Sequence, residues 1–380
     1  RWVIRDAVTR ACWLGSKAKH DGMPQQQGLP SGAGPAGLRQ PGAVTRRGSV
    51  LNQHLSLPRS RSARILVGDI GATHSRLAIY SLLADRVELS RQQTYASSEH
   101  ACLTEVLASF LEGERGQIDA ACLGVPGPIH SSGSVFPMTN LPWKVDREAV
   151  FDAIGTDRVA LINDVEASAA GIPGLSPEKL VCLQRGVADP TGNRVVISIG
   201  TGLGVSALTP AGHAFATEAG HATFSPRRDP DFDLHALLQR EHGHVSWERV
   251  ASGSALPQIH ELFAADGSAR LEAPEIVRRC PIDPACGKAV ETLRRYIGAA
   301  AGNFALNLMA SGGLYLLGGV ATKVLKKQSA DPFLDAFRDK GRMRSLLEKV
   351  PVFVVDENDL ALRGAAWTAI DRFEPCGKQP

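Results

Sequence analysis

The segment "LVGDIGATHSRLAIY" (66–80) is an apolar run that stops on Asp69, turns through Gly71 and Thr73, and resumes as a second apolar run. The pattern returns as "VVISIGTGLGVSAL" (195–208), with Gly200 where Gly71 stood and Ser198 where Asp69 stood. One hairpin needs no more than Asn-Gly or Asp-Gly at its turn. Two matched ones demand a duplicated scaffold. Each is followed by a helical stretch and then a strand closing on a Gly turn, "AACLGVPGP" (120–128) and "LYLLGGVA" (314–321). The repeat predicts two similar α/β halves facing a shared cleft, the usual place for a small ligand.

The remaining punctuation agrees. Apolar runs predict strands at 65–68, 77–82, 120–125, 159–162, 195–199, 205–208, 314–317 and 352–355. Helical spacing predicts helices at 103–112, 147–154, 165–170, 232–239, 253–263, 287–310 and 360–372. Residues 297–322 carry no charge and contain Gly298 and Gly302 in a GxxxG arrangement. Asn303, Asn307, Ser311 and paired glycines interrupt this run, so it reads as buried core rather than a membrane span.

Residues 1–64 differ from the rest. They are rich in Pro, Gly, Gln and Arg, and Asp6 and Asp21 are their only acids. Such a segment cannot bury enough apolar surface to offset its ordering entropy, and it reads as a disordered basic tail rather than a targeting signal. Arg1 is no initiator and the first methionine is Met23. Although the whole chain carries +3, the body beyond the tail is mildly acidic and offers no broad attraction to nucleic acid or anionic lipid. The seven cysteines are scattered without a C-x-x-C pair, which reads as reduced thiols and argues against a structural zinc.

Glycine turns let a backbone approach a ligand closely and aim N–H groups at an anion. Gly71 and Thr73 in the first hairpin, with Gly200, Thr201 and Gly202 in the second, are therefore candidate phosphate loops. Either alone is more simply a turn; the matched pair is the signal. A carboxylate beside phosphates needs a cation between them, so Asp69 is read as presenting Mg²⁺ to a nucleotide. The P-loop and protein-kinase signatures are absent. "LINDVEASAAG" (161–171) places Asn163 and Asp164 where a strand meets a helix, as a cap or as a second acid at the cleft. "PMTNLPW" (137–143), "TEAGHATFSP" (217–226) and "GHVSWERVASGSAL" (243–256) gather polar side chains in turns, and a buried sugar needs such partners for its hydroxyls. Trp143 and Trp247 read as core or rim aromatics.

Taken in order, these motifs resemble bacterial glucokinases over about residues 65–373, and seven ordered motifs are more specific than any one. The resemblance implies two actin/hexokinase-like (ribonuclease H-like) α/β domains around a central cleft: a small one at 65–170 completed by a C-terminal helix at 360–376, and a large one at 171–359. It implies an ATP-dependent hexose kinase acting on the 6-hydroxyl of glucose, cytoplasmic and homodimeric. Asp164 resembles the catalytic base; Asn163, Asn140, Glu218, His221 and Glu248 the sugar-binding set; Gly71, Thr73, Gly200, Thr201 and Gly202 the phosphate loops; Gly318 and Gly319 the adenosine turn; and Asp69 the Mg²⁺ position. Three motifs depart from the family pattern: Gly71-Ala72-Thr73-His74 for Gly-Gly-Thr-Asn, Glu218-Ala219-Gly220-His221 for Glu-Gly-Gly-His, and Ser252-Gly253-Ser254-Ala255 for Ser-Gly-Pro-Gly. An alanine forced to positive φ would strain its turn by about 1 kcal/mol or more. The related ROK sugar kinases and repressors carry a cysteine-rich zinc signature after their Gly-His motif, which is missing here. A non-catalytic sugar sensor and a kinase for another hexose or an N-acetylhexosamine stay open as alternatives.

Overall fold

A computed structural model describes residues 2–3, 62–83, 86–129, 143–326 and 330–373. Most of the tail and Asn140 lie outside the described residues. Strand β1 is Trp2–Val3, β2 Ala63–Ile70, β3 His74–Leu83 and β4 Arg86–Ala96; helix α1 is Leu103–Phe110, followed by β5 Ala120–Val125. Then come α2 Arg147–Ile154, β6 Val159–Asn163, α3 Asp164–Gly171 and β7 Leu180–Gln184. The second hairpin is β8 Arg194–Ile199 with β9 Leu203–Leu208, joined by β10 Ala214–Thr217. Helices α4 Asp231–His242, α5 Trp247–Ala251, α6 Leu256–Glu261, α7 Ala273–Arg279 and α8 Pro284–Asn307 lead to β11 Gly313–Leu317 and the single turn α9 Gly318–Val320. Helices α10 Asp331–Arg338 and α11 Arg344–Leu347, strand β12 Val352–Val355 and helix α12 Leu360–Phe373 complete the chain.

The strands form two sheets, ordered β1-β4-β3-β2-β5-β6 and β10-β9-β8-β11-β12-β7. In each, the leading hairpin strand pairs antiparallel with its partner on one side and parallel with the closing strand on the other. The repeat read from the sequence is therefore a repeat of topology. Central strands such as β5, buried at every position, read as unbroken apolar runs because both sheet faces are covered.

Helix α12 returns to cover the first sheet: Leu362, Ala365, Ala366 and Ala369 pack with Ile65, Val67, Cys122 and Ile162. Helix α3 joins the two halves, with its Val165 and Ala169, and Ile172 just beyond it, packing against Val196, Leu208 and Leu317 of the second sheet. The larger core lies under that sheet around Phe224, Trp247, Tyr296, Phe304, Phe333 and Phe337. Full burial of each such side chain favours the fold by roughly 1.5–3 kcal/mol.

Several elements differ from the sequence expectation. The helix expected at 253–263 is a 3₁₀ turn at Gly253–Ala255 followed by α6, and α8 starts at Pro284 because Asp283 caps it through Ala285 and Cys286 N–H groups. Strand β4 was not expected: mostly exposed and polar, it has no clean alternation and is held by pairing with β3. The short β7, β10, α5, α7, α10 and α11 likewise owe their form to what they pack on. Gly298 and Gly302 let α8 approach α10, since a Cβ at 298 would stand 2.1 Å from the Phe333 carbonyl oxygen and one at 302 would stand 2.5 Å from that of Phe337. The GxxxG pair thus serves packing within the domain. Among the described residues no helix is long and apolar enough to cross a membrane.

Candidate functional site

A cavity of about 430 Å³ lies between the two halves, lined by Asp69, Asp164, Ser198, Gly318 and Gly319, with Arg76, Thr322 and the 355–358 segment completing it. Asp69 comes from the end of β2, Ser198 from the matching position of β8, and Asp164 from the first residue of α3. Two acids far apart in sequence meet because β2, β5 and β6 run parallel and end on the same sheet edge.

The Asn163-Asp164 pair divides its labour. Asn163 is the N-cap of α3: its Oδ1 accepts from Val165 N–H at 2.9 Å and Glu166 N–H at 3.2 Å, and its Nδ2 donates to the Gly127 carbonyl at 3.4 Å. With the cap role taken, Asp164 is left to line the cavity. Burial, then the nearby Asp69 carboxylate, raise its pKa to about 7 against two backbone N–H contributions, and Glu218 adds a smaller push. A carboxyl there is a stronger base than an ordinary aspartate of ~3.9.

Asp69 faces Arg76, its direct register partner on β3, and the guanidinium bonds its carboxylate. Arg76 also donates to the Asn358 carbonyl at 2.5 Å and stands 3.6 Å from Asp359, so it ties the first hairpin to the segment entering α12. Asp69 and Asp164 are hard oxygen donors sharing one cavity, and their mutual repulsion is the kind a divalent cation relieves. The donor set fits Mg²⁺ bound through one or two carboxylates with water and phosphate oxygens. Among the described residues no cluster of three or more His, Cys, Asp or Glu forms a closed metal cage.

The turns themselves stand outside the lining of this cavity. Gly71 N–H bonds the His74 carbonyl at 3.0 Å and Gly200 N–H bonds that of Gly202 at 3.0 Å, so both close their own turns instead of facing a ligand. Thr73 is exposed, and its carbonyl takes Ser97 N–H at 3.0 Å. Buried Ser97 also donates to the Gly71 carbonyl at 2.7 Å. On the other side, Gly200 and Thr201 carbonyls accept from Gly253 and Ser254 N–H groups. Ser254 can make that bond where the family's proline could not. Neither Ala72 nor Ala219 is forced to positive φ, so neither turn is strained; Met309 is the only described non-glycine residue there. Gly318 does sit at φ +91, and a Cβ there would lie 2.4 Å from the Ile199 carbonyl oxygen.

Glu218, His221 and Glu248 form a second group. His221 Nε2 stands 3.7 Å from Glu218 Oε2 and its Nδ1 4.0 Å from Glu248 Oε1. Glu248 Oε2 accepts Leu203 N–H at 3.0 Å, which pins it beside the second hairpin turn. Burial raises the Glu218 pKa, with His221 opposing and Glu248 adding to the rise. None of the three lines the main cavity, but Glu218 is close enough to perturb Asp164. Trp143 and Trp247 are buried, as the sequence suggested. Arg76, Ser97 and Thr322 were missed. Arg76 was legible in principle, because a tight hairpin turn sets it opposite Asp69.

Comparison with known proteins agrees with this geometry. The sequence model of the glucokinase family, described as "Glucokinase", matches residues 66–372. A glucokinase of Marinobacter nauticus is 37% identical over 313 residues, covering 79% of this chain and 95% of the relative. A glucokinase of Chromobacterium violaceum is 35% identical over 321 residues, covering 82% and 90%. The crystal structure of a glucokinase from an Antarctic psychrotroph superposes with a TM-score of 0.67 at 28% identity, covering 81% of this chain and 99% of that one. The chain belongs to the glucokinase family.

Proposed function

We propose that this protein transfers the γ-phosphoryl group of ATP to the 6-hydroxyl of glucose. The observation that carries the reading is that Asp69, Asp164 and the Gly318–Gly319 turn share one interdomain cavity, with Glu218, His221 and Glu248 adjacent. In this reading the sugar is held by the Glu218–His221–Glu248 group together with Asn140 and Asn163. Asp164 orients the 6-hydroxyl and takes its proton as the sugar oxygen bonds to the γ-phosphorus and the bridging bond to ADP breaks. A base with a pKa near 7 suits that role at neutral pH. Phosphoryl transfer asks mainly for positioning and charge neutralisation. Mg²⁺ held by Asp69 would neutralise phosphate charge; the chain's own contribution is the N–H groups of Thr73, Thr201 and Gly202, in the turns that Gly71 and Gly200 close, and the Arg76 guanidinium. The ATP adenosine is assigned to Gly318–Gly319, and closure of the domains over the sugar excludes water.

The domain division at 65–170 plus 360–376 against 171–359 belongs to the same reading, as do a cytoplasmic homodimer at the entry of glycolysis and no nucleic-acid or membrane partner. A coupled assay on the purified protein with glucose and MgATP tests it, and glucose 6-phosphate at a turnover of roughly 1–10³ s⁻¹ is expected. Calorimetry that detects glucose binding but neither ATP binding nor product would replace the kinase with a sensor.

A further inference from the structure

A second cavity of about 320 Å³ opens beneath the second sheet and shares no residue with the first; Ser225, Arg227, Trp247, Asn303, Asp339 and Lys340 line it. Lys340 reaches it by lying across α8, where its Nζ donates to the Ala299 carbonyl at 2.9 Å. A Cβ at 302 would stand 2.6 Å from the lysine Cε, so Gly302 is what leaves room for the stem. A carbonyl satisfies one of the three ammonium donors and does not neutralise the charge. Burial lowers the Lys340 pKa to about 8, Arg227 pushes the same way and Asp339 opposes.

The rim is fixed in place. Arg227 Nη1 donates to Asp339 Oδ2 at 2.8 Å, and its backbone N–H donates to Asp231 at 3.1 Å. Buried Asp231 is itself anchored by Arg295 at 2.7 Å and Tyr296 at 3.0 Å. Arg228 stands 4.0 Å from Asp339, so two guanidinium groups share one carboxylate, whose charge the neighbouring Lys340 also feels. The result is a preformed hollow with surplus positive charge and neutral polar groups from Ser225 and Asn303. Phosphate recognition asks for that combination.

We propose that this cavity is a binding site for a small phosphate monoester, held by Lys340 and Arg227 and hydrogen-bonded by Ser225 and Asn303. The site is separate from the phosphoryl-transfer cleft, and its test does not depend on turnover. Calorimetric titration of the full chain with glycerol 3-phosphate at fixed ionic strength should give a saturable isotherm. Lys340→Met and Arg227→Gln should each weaken it about tenfold or more, a difference of about 1.4 kcal/mol. Asp164→Asn should bind as the wild type does. No saturation at roughly 10 mM ligand, affinity unchanged in both cavity variants, or affinity lost in Asp164→Asn would overturn the site. Inorganic phosphate titrated in parallel decides the ligand class, and equal affinity for it would overturn the ester assignment.

Discussion

The two hairpins share a backbone plan and carry different chemistry. In the first, Asp69 stands opposite Arg76; in the second, the matching Ser198 stands opposite Gly204. The first hairpin thus places a charge pair at the cleft. The second leaves an uncharged wall, and its glycine makes room for α3: a Cβ at 204 would meet Val165 Cγ2 at 2.5 Å. One repeat handles charge while the other seats the helix that carries Asp164. Duplicating a fold duplicates the platform, and each copy is then free to hold what its side of the cleft requires.

The comparison can be broken at its common neighbour first. Asp164→Asn should lower kcat by roughly 10²–10⁴-fold with glucose affinity mostly kept, since it removes the proton acceptor and leaves the sugar contacts. Near-normal turnover in a stopped assay would remove Asp164 from that role. Asp69→Ser, which gives the first hairpin the second one's residue, should cost about 10²-fold in kcat, or about 2.7 kcal/mol. A loss below threefold would show that the two hairpins are equivalent after all.

The pH profile sharpens the same point. Asp164 works as the ionised base, so kcat should fall about tenfold per unit once pH drops below the raised pKa of about 7. Its elevation also means that the folded state holds a proton that the unfolded chain has lost between about pH 4 and 7. Over that window this group's contribution to stability declines as pH rises. Asp164→Asn should accordingly raise the melting temperature at pH 8 and lose that advantage near pH 4. A melting shift independent of pH would contradict the buried carboxyl.

Smaller effects distinguish capping from contact. Asn163→Ala should destabilise the fold by about 1 kcal/mol, while Asn163→Asp keeps the cap and most of the stability in denaturant titration. If both variants melt like the wild type, Asn163 is not a structural cap. Ser198→Ala should change kcat less than about threefold, and a larger loss would give the second hairpin a charge-handling role like the first.

Much of this was legible beforehand because it depends on local chemistry and order. The paired Gly hairpins, the closing strands at 120–125 and 314–317, and the Asn163-Asp164 junction each carry their own signal in residue type and spacing. Other features follow from packing alone. Nothing within "RVELSRQQTYA" announces β4; its pairing with β3 makes it a strand. The 253–263 segment reads as one helix until Gly253 is drawn against the Gly200 carbonyl. Asn163 and Asp164 look interchangeable as caps, and only the direction of the strand end decides which one turns to the cleft.

Residue order by itself settled that there are two α/β halves, that each opens with a glycine hairpin, and which acids end their strands, because strand runs, turn residues and helix starts are short-range properties. Tertiary structure decided that Asp69 and Asp164 share a cavity, that burial beside another carboxylate gives Asp164 a base's pKa, and that Gly302 admits Lys340 to a second hollow. Those facts depend on distance and desolvation between residues far apart in the chain, quantities that spacing along a sequence does not contain.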